Sequence, residues 1–201
     1  MPPAARIIAG VDALSSGEVS LDGRPLKLTQ PQDAMNAGIV LVPEDRKAQG
    51  LLLKQTIENN IAVGNFDLIG RGSWIRPKDK RAFAEKAIAS MGVKGRPEQL
   101  AGRLSGGNQQ KVVIAKWLAR DPKLFIMDEP TRGVDVGARA QIYEAIASLA
   151  KSGMAVIVVS SDLDEVIGLS HRVMVLSRGR NRGILARGDA THVAIMERAT
   201  T

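Results

Sequence analysis

Cysteine is absent from the 201 residues, which excludes a disulfide framework and a thiolate metal site and makes a reducing compartment the compatible setting. Aromatic side chains are scarce: one Tyr, three Phe and two Trp leave little on which nucleobases can stack. Long apolar runs are lacking as well. Met154 to Val159 falls far short of the ~20 residues a membrane-crossing helix needs, and the opening Met-Pro-Pro-Ala-Ala-Arg has no secretory-signal core, so the chain reads as soluble or peripheral. A further absence is chemical. No stretch has the Gly-rich, Gly-Lys-Ser/Thr form that cradles phosphates; Gly92-Val93-Lys94-Gly95 follows no strand and opens no helix, so it fails the required context.

The length suits one domain with a substantial core and room for a subdomain. The net charge of +7 is unevenly placed, because Arg71 to Lys123 holds 13 Lys and Arg against 4 Asp and Glu. A basic middle of this kind binds nucleic acid, lies near an anionic membrane leaflet, or is the solvated surface of a helical lobe. The shortage of aromatics favours the lobe.

The chain is organised around Leu104 to Asp135. Leu124-Phe125-Ile126-Met127, bounded by Pro122 and Pro130, suits a strand buried on both faces. Asp128 and Glu129 then sit at its carboxyl end and point to opposite sides, so one can hold a metal while the other orients an attacking water, as phosphoryl transfer requires. The plain alternative is a strand that ends in a polar turn. Ahead of it, Ser105-Gly106-Gly107 opens a helical run over about Asn108 to Leu118. Ser105 can cap that helix, whose free N–H groups and dipole attract anions, while the glycines let a phosphate approach the main chain. Alone this is an ordinary Ser cap; together with the acidic pair downstream it points to a nucleotide.

Three runs carry a resemblance: Leu104-Ser105-Gly106-Gly107-Asn108-Gln109-Gln110-Lys111, Asp128-Glu129-Pro130-Thr131 and Arg132-Gly133-Val134-Asp135. They resemble an ABC-transporter nucleotide-binding domain, in wording the C-terminal ATPase half of monosaccharide importers of the ribose, galactose and xylose type. The likeness runs over nearly the whole chain. It implies an α/β, P-loop NTPase-like parallel sheet with flanking helices, a helical subdomain over 49–102 and an antiparallel hairpin arm, the α/β core being 1–48 and 103–201. The N-terminal strands and the phosphate loop of the family are expected to be missing. The implied cofactors are ATP and Mg²⁺. By resemblance Leu104, Ser105, Gly106, Gly107, Asn108 and Gln109 bind nucleotide, Asp128 and Glu44 hold metal, Glu129 is catalytic, and Asp135 lies in the loop that touches an opposing ATPase subunit.

Two positions depart from the family. Glu44 stands where most relatives have Gln, so it can accept but not donate a hydrogen bond. Ser161 stands where most have a His that contacts the γ-phosphate; a hydroxyl donates but supplies no cationic imidazole, which predicts weaker catalysis. A competing reading of that segment is a capping box formed by Asp162 and Glu165. Neither His171 nor His192 substitutes.

Elsewhere, Ala4 to Gly10 reads as a helix tail with Gly10 near its C-cap, and Ser16 to Gly23 as the hairpin arm. Pro31 to Asn36 is a short helix. Gly38 to Val42 is a buried strand that delivers Glu44 to the ligand edge. From Gly50 to Leu100 helices are broken by Gly64, Gly70, Gly72, Pro77 and Gly92, with Lys80 to Met91 the clearest amphipathic segment. Leu51, Leu52, Leu53 and Trp74 belong either to the lobe's own core or, by resemblance, to a groove that grips a permease helix. Gly137 to Ala150 is a helix that packs Ile142, Ile146 and Leu149, and Met154 to Val159 is a further buried strand.

The expected function is that of an ATP-binding and hydrolysing fragment of a sugar importer. Its expected partners are a second ABC ATPase domain, membrane permease subunits and, indirectly, a periplasmic sugar-binding protein, with no nucleic acid. The expected place is the cytoplasm, peripheral on the inner face of the membrane. The alternatives are a catalytically incompetent partner that donates its signature, the run Leu104 to Lys111, a truncated remnant, and a nucleic-acid-associated ABC ATPase.

Overall fold

A computed structural model of the protein describes residues 2–70 and 74–200; Arg71 and Gly72 lie outside the described residues. The first half contains α1 (Pro3–Ile8), β1 (Val19–Leu21), β2 (Arg24–Leu26), α2 (Pro31–Asn36), β3 (Ile39–Val42), α3 (Ile57–Ala62), α4 (Phe66–Ile69) and α5 (Pro77–Ser90). The second contains α6 (Gly106–Leu118), β4 (Leu124–Asp128), α7 (Val136–Lys151), β5 (Ala155–Val159), α8 (Leu163–Leu169), β6 (Arg172–Ser177), β7 (Arg180–Ala186) and α9 (His192–Thr200).

β3, β4 and β5 form a parallel sheet with β4 in the middle, in a register that pairs Val42 with Met127 and Met127 with Val158. β4 explains the layering. Its side chains alternate: Phe125 and Met127 enter a core with Val112 and Val113 of α6 and Ile142 and Ile146 of α7, whereas Ile126 enters a second core with Ala5, Ala34 and Ile39. The strand is therefore sealed on both faces, as its unbroken apolar run implied.

β5 departs from expectation. Ala155 and Ile157 are exposed, Ile157 by 38%, because among the described residues this strand is laddered only to β4 and one face has little cover. Beyond it, β6 and β7 pair, among the described residues, only with each other, through the turn Arg178-Gly179, and α9 covers one side of the hairpin with Ile195. The N-terminal arm is built the same way. β1 and β2 are joined by Asp22-Gly23, both at positive φ (53° and 74°), the backbone that two-residue hairpins require.

α3, α5 and α6 pack into the helical lobe, and α6 belongs equally to the sheet, so Ile57, Ile61 and Ala84 share one continuous core with Val40 and Phe125. Several cations of the basic middle are spent in ion pairs on this lobe, Lys80 with Glu58, Arg81 with Glu85 and Glu98, and Arg120 with Asp67. Leu51 faces the core; Leu52 and Trp74 are exposed.

α6 also buries a cation. Lys116 is 5% exposed, and its ammonium donates to the Gly50 carbonyl at 2.7 Å and lies 4.9 Å from the Trp117 ring centroid. Burial pushes its pKa down from 10.5 to about 8. Between those pH values the unfolded chain binds more protons here than the folded one, so stability rises with pH across that window, by about 3 kcal/mol in all. Lys116→Met is expected to lack this rise. Urea unfolding of both proteins at pH 7.5 and 10.5 measures the difference, and a pH-independent difference would show that the ammonium is not desolvated.

Candidate functional site

β3 and β4 end side by side, which brings Glu44 alongside Asp128 and Glu129 at the carboxyl edge of the sheet. Asp128 is 1% exposed, and burial, with the neighbouring Glu129 charge adding to it, raises its carboxyl pKa. Glu129 adopts a left-handed backbone (φ 46°), with its N–H donating to the Val159 carbonyl at 2.8 Å. That twist swings its carboxylate over the end of β5, where Oε1 accepts the Ser161 N–H at 2.7 Å. Ser161 thus meets Glu129 through its backbone, and its side chain lies at the surface.

The Asp162–Glu165 capping box forms by half. Asp162 accepts from the N–H groups of Asp164 and Glu165, as a cap should. Glu165 does not reciprocate: it is buried and accepts the Thr131 hydroxyl at 2.8 Å, while the Asp162 N–H donates to the Ser160 hydroxyl. A partner 34 residues away displaced the local one. The loop after β4 is therefore tied to the start of α8 twice, through Glu129 and through Thr131.

Ser105 caps α6: its Oγ accepts from the Asn108 N–H at 3.4 Å and from Asn108 Nδ2 at 3.0 Å, and Asn108 Oδ1 accepts the Lys94 N–H. Ser105 is exposed, Gly106 half-buried and Gly107 buried, where a Cβ would stand 2.4 Å from that of Ala138. Only glycine lets α6 and the start of α7 meet this closely. Leu104 and Gln109 turn inward; Gln109 Nε2 donates to the Leu104 carbonyl at 3.1 Å, so these two shape the turn. Asp135 caps α7 by accepting the Ala138 N–H at 3.0 Å. Through the Gly107–Ala138 contact, two capped helix N-termini stand together.

The loop after β3 is joined to the loop after β4. Glu44 forms an ion pair with Arg132, and the Arg46 guanidinium donates to the carbonyls of Arg132 (2.6 Å) and Gly133 (2.9 Å). No group of three or more His, Asp or Glu is clustered among the described residues. Mg²⁺ keeps most of its waters and is usually held by one or two carboxylates. Asp128, whose charge is costly where it lies, and Glu44 at the next strand end are the residues that fit.

The site and sheet together define an ATP-binding cassette. Similar solved structures include the cassette MJ1267 in its ADP conformation (TM-score 0.78, 21% identity, 99% of this chain and 83% of that one) and cbiO1 from Clostridium perfringens (0.76, 22%, 96% and 75%), likenesses that show the fold alone. The ABC transporter family model matches residues 4–132, and the chain belongs to that family. Curated relatives include a ribose import ATP-binding protein of Oceanobacillus iheyensis, 45% identical over 97% of this chain and 40% of its own length. An arabinose import ATP-binding protein of Pseudomonas syringae is 44% identical over 96% of this chain and 39% of its own length. The chain thus spans about two fifths of these relatives and corresponds to their C-terminal ATPase half.

Proposed function

We propose that this chain forms the signature-bearing side of an ATP site in a monosaccharide importer and couples ATP hydrolysis to uptake. The observation that supports this best is the junction of α6 and α7, which sets the exposed Ser105 cap of α6 beside the loop that carries Glu129 and Asp135. A second ABC ATPase domain supplies the phosphate loop. Mg-ATP brings the phosphoanhydride to be cleaved.

This chain's residues divide the rest of the work. The N–H groups at the α6 N-terminus and the Ser105 hydroxyl donate to anionic oxygen. Asp128, with Glu44 once it leaves Arg132, meets cationic charge. Glu129, fixed by Ser161 N–H, accepts a proton from water and aims it; Ser161 Oγ offers a neutral donor. Asp135 faces the opposing domain, and Leu104 and Gln109 hold the signature turn in shape.

A groove of about 390 Å³ on the lobe, lined by Leu52, Val63, Phe66 and Ile75, takes a cytosolic helix of the permease. The chain works at the cytoplasmic face of the membrane, a periplasmic binding protein selects the sugar, and nucleic acid has no part. Titration with a fluorescent ATP analogue tests the reading. Residues 1–201 hold no Gly-rich phosphate loop, so on their own, without two or three charge-assisted contacts, they are expected to bind about 10³-fold more weakly than when mixed with an intact ABC ATPase domain. Low-micromolar binding by the chain alone, or no gain on mixing, would overturn it.

A further inference from the structure

Arg46 is 8% exposed, an unusual place for a guanidinium, and it lies in the π-helical turn Arg46–Gly50. That turn is itself anchored on α6, since Gly50 packs against Val113 and its carbonyl accepts from Lys116. From there Nη1 and Nη2 reach two consecutive carbonyls, those of Arg132 and Gly133, 86 and 87 residues along the chain. The same fork borders the signature: a Cβ at Gly106 would stand 2.9 Å from Arg46 Nη2 and 2.9 Å from the Gly133 oxygen. Arg132 is held from both ends, its carbonyl by Arg46 and its side chain by Glu44.

We infer that Arg46 is a positioning residue that clamps the loop after β4 against the N-terminus of α6, setting the spacing between the signature turn and the Glu129–Asp135 segment. A planar fork with two donors in fixed geometry can span adjacent carbonyls, whereas an ammonium is a single point of charge. Three segments far apart in sequence thus meet on one guanidinium. Its effect on turnover rests on the ATPase reading above; the clamp itself needs no nucleotide.

The absence of cysteine allows a direct measurement. Cysteines introduced at the exposed positions Arg103 and Val136 carry spin labels on either side of the clamp, and pulsed electron resonance reads their separation in the full chain. The distribution is expected to be narrow in the parent, broad in Arg46→Met and Arg46→Lys, and shifted in Gly106→Ala, whose methyl displaces the fork. With an intact ABC ATPase domain added, Arg46→Lys is expected to lower kcat about 10²-fold, the cost of a misplacement near 1 Å, with KM for Mg-ATP nearly unchanged. A distribution unchanged in Arg46→Lys and Gly106→Ala would overturn the clamp even if both variants melt earlier. A broadened distribution with no turnover in any protein, parent included, would uphold the clamp and sink the ATPase reading.

Discussion

Glu129→Gln is expected to abolish turnover in the assembled ATPase while leaving nucleotide bound. The amide keeps the size of the side chain, and its oxygen can still accept the Ser161 N–H that Oε1 accepts at 2.7 Å, so the loop keeps its course. What disappears is the anionic acceptor for the water's proton, and a positioned base contributes roughly 10²- to 10⁴-fold. Steady-state hydrolysis alongside binding of the fluorescent analogue separates the two effects. Equal loss of binding and turnover would assign Glu129 to metal or structure instead. Asp128→Asn is expected to behave differently: it removes a buried charge that suits a cation, so it should weaken Mg²⁺-dependent affinity first.

Phe125→Ala is expected to cost about 3 to 5 kcal/mol, against a total stability of about 5 to 15. Phe125 is fully buried at the centre of β4, the middle strand of the parallel sheet, and it joins the sheet to α6. Its removal leaves a hole that neither α6 nor α7 can close, because Gly107 already touches Ala138 and fixes their approach. Urea unfolding, with an unchanged slope and a lowered midpoint, is the measurement; a loss under 1 kcal/mol would mean the core rearranges.

Some of this was legible in the residues and some was not. The β4 strand, the Ser105 cap and the end of α1 could be read because each is a local rule: an apolar run between prolines, a hydroxyl before two glycines, a glycine next to the C-cap, where Gly10, at φ 68°, follows Ala9. The exposure of β5 could not. Ala-Val-Ile-Val-Val has no alternation from which to tell one covered face from two, and its burial is decided by neighbours. Glu165 misled for the same reason, since Asp-x-x-Glu is a sound local signal that lost to Thr131 from another segment. The clamp at Arg46 left no local trace, as its partners lie 86 and 87 residues away. Gln109, expected at the nucleotide by resemblance, donates to the Leu104 carbonyl, and Lys116, counted in a basic middle read as a solvated lobe, donates to the Gly50 carbonyl inside the molecule.

The left-handed backbone at Glu129 carries a lesson about ancestry. A side chain in that region costs about 1 to 3 kcal/mol relative to a residue at ease there, a cost that Asp22, Asp121 and Arg178 also bear. If Glu129 carries the duty proposed for it, then in a lineage where that duty lapsed position 129 should be among the first to change, ahead of Asp128, which is not among the residues at positive φ. Comparing those two positions across descendants would date the loss of activity without a single assay.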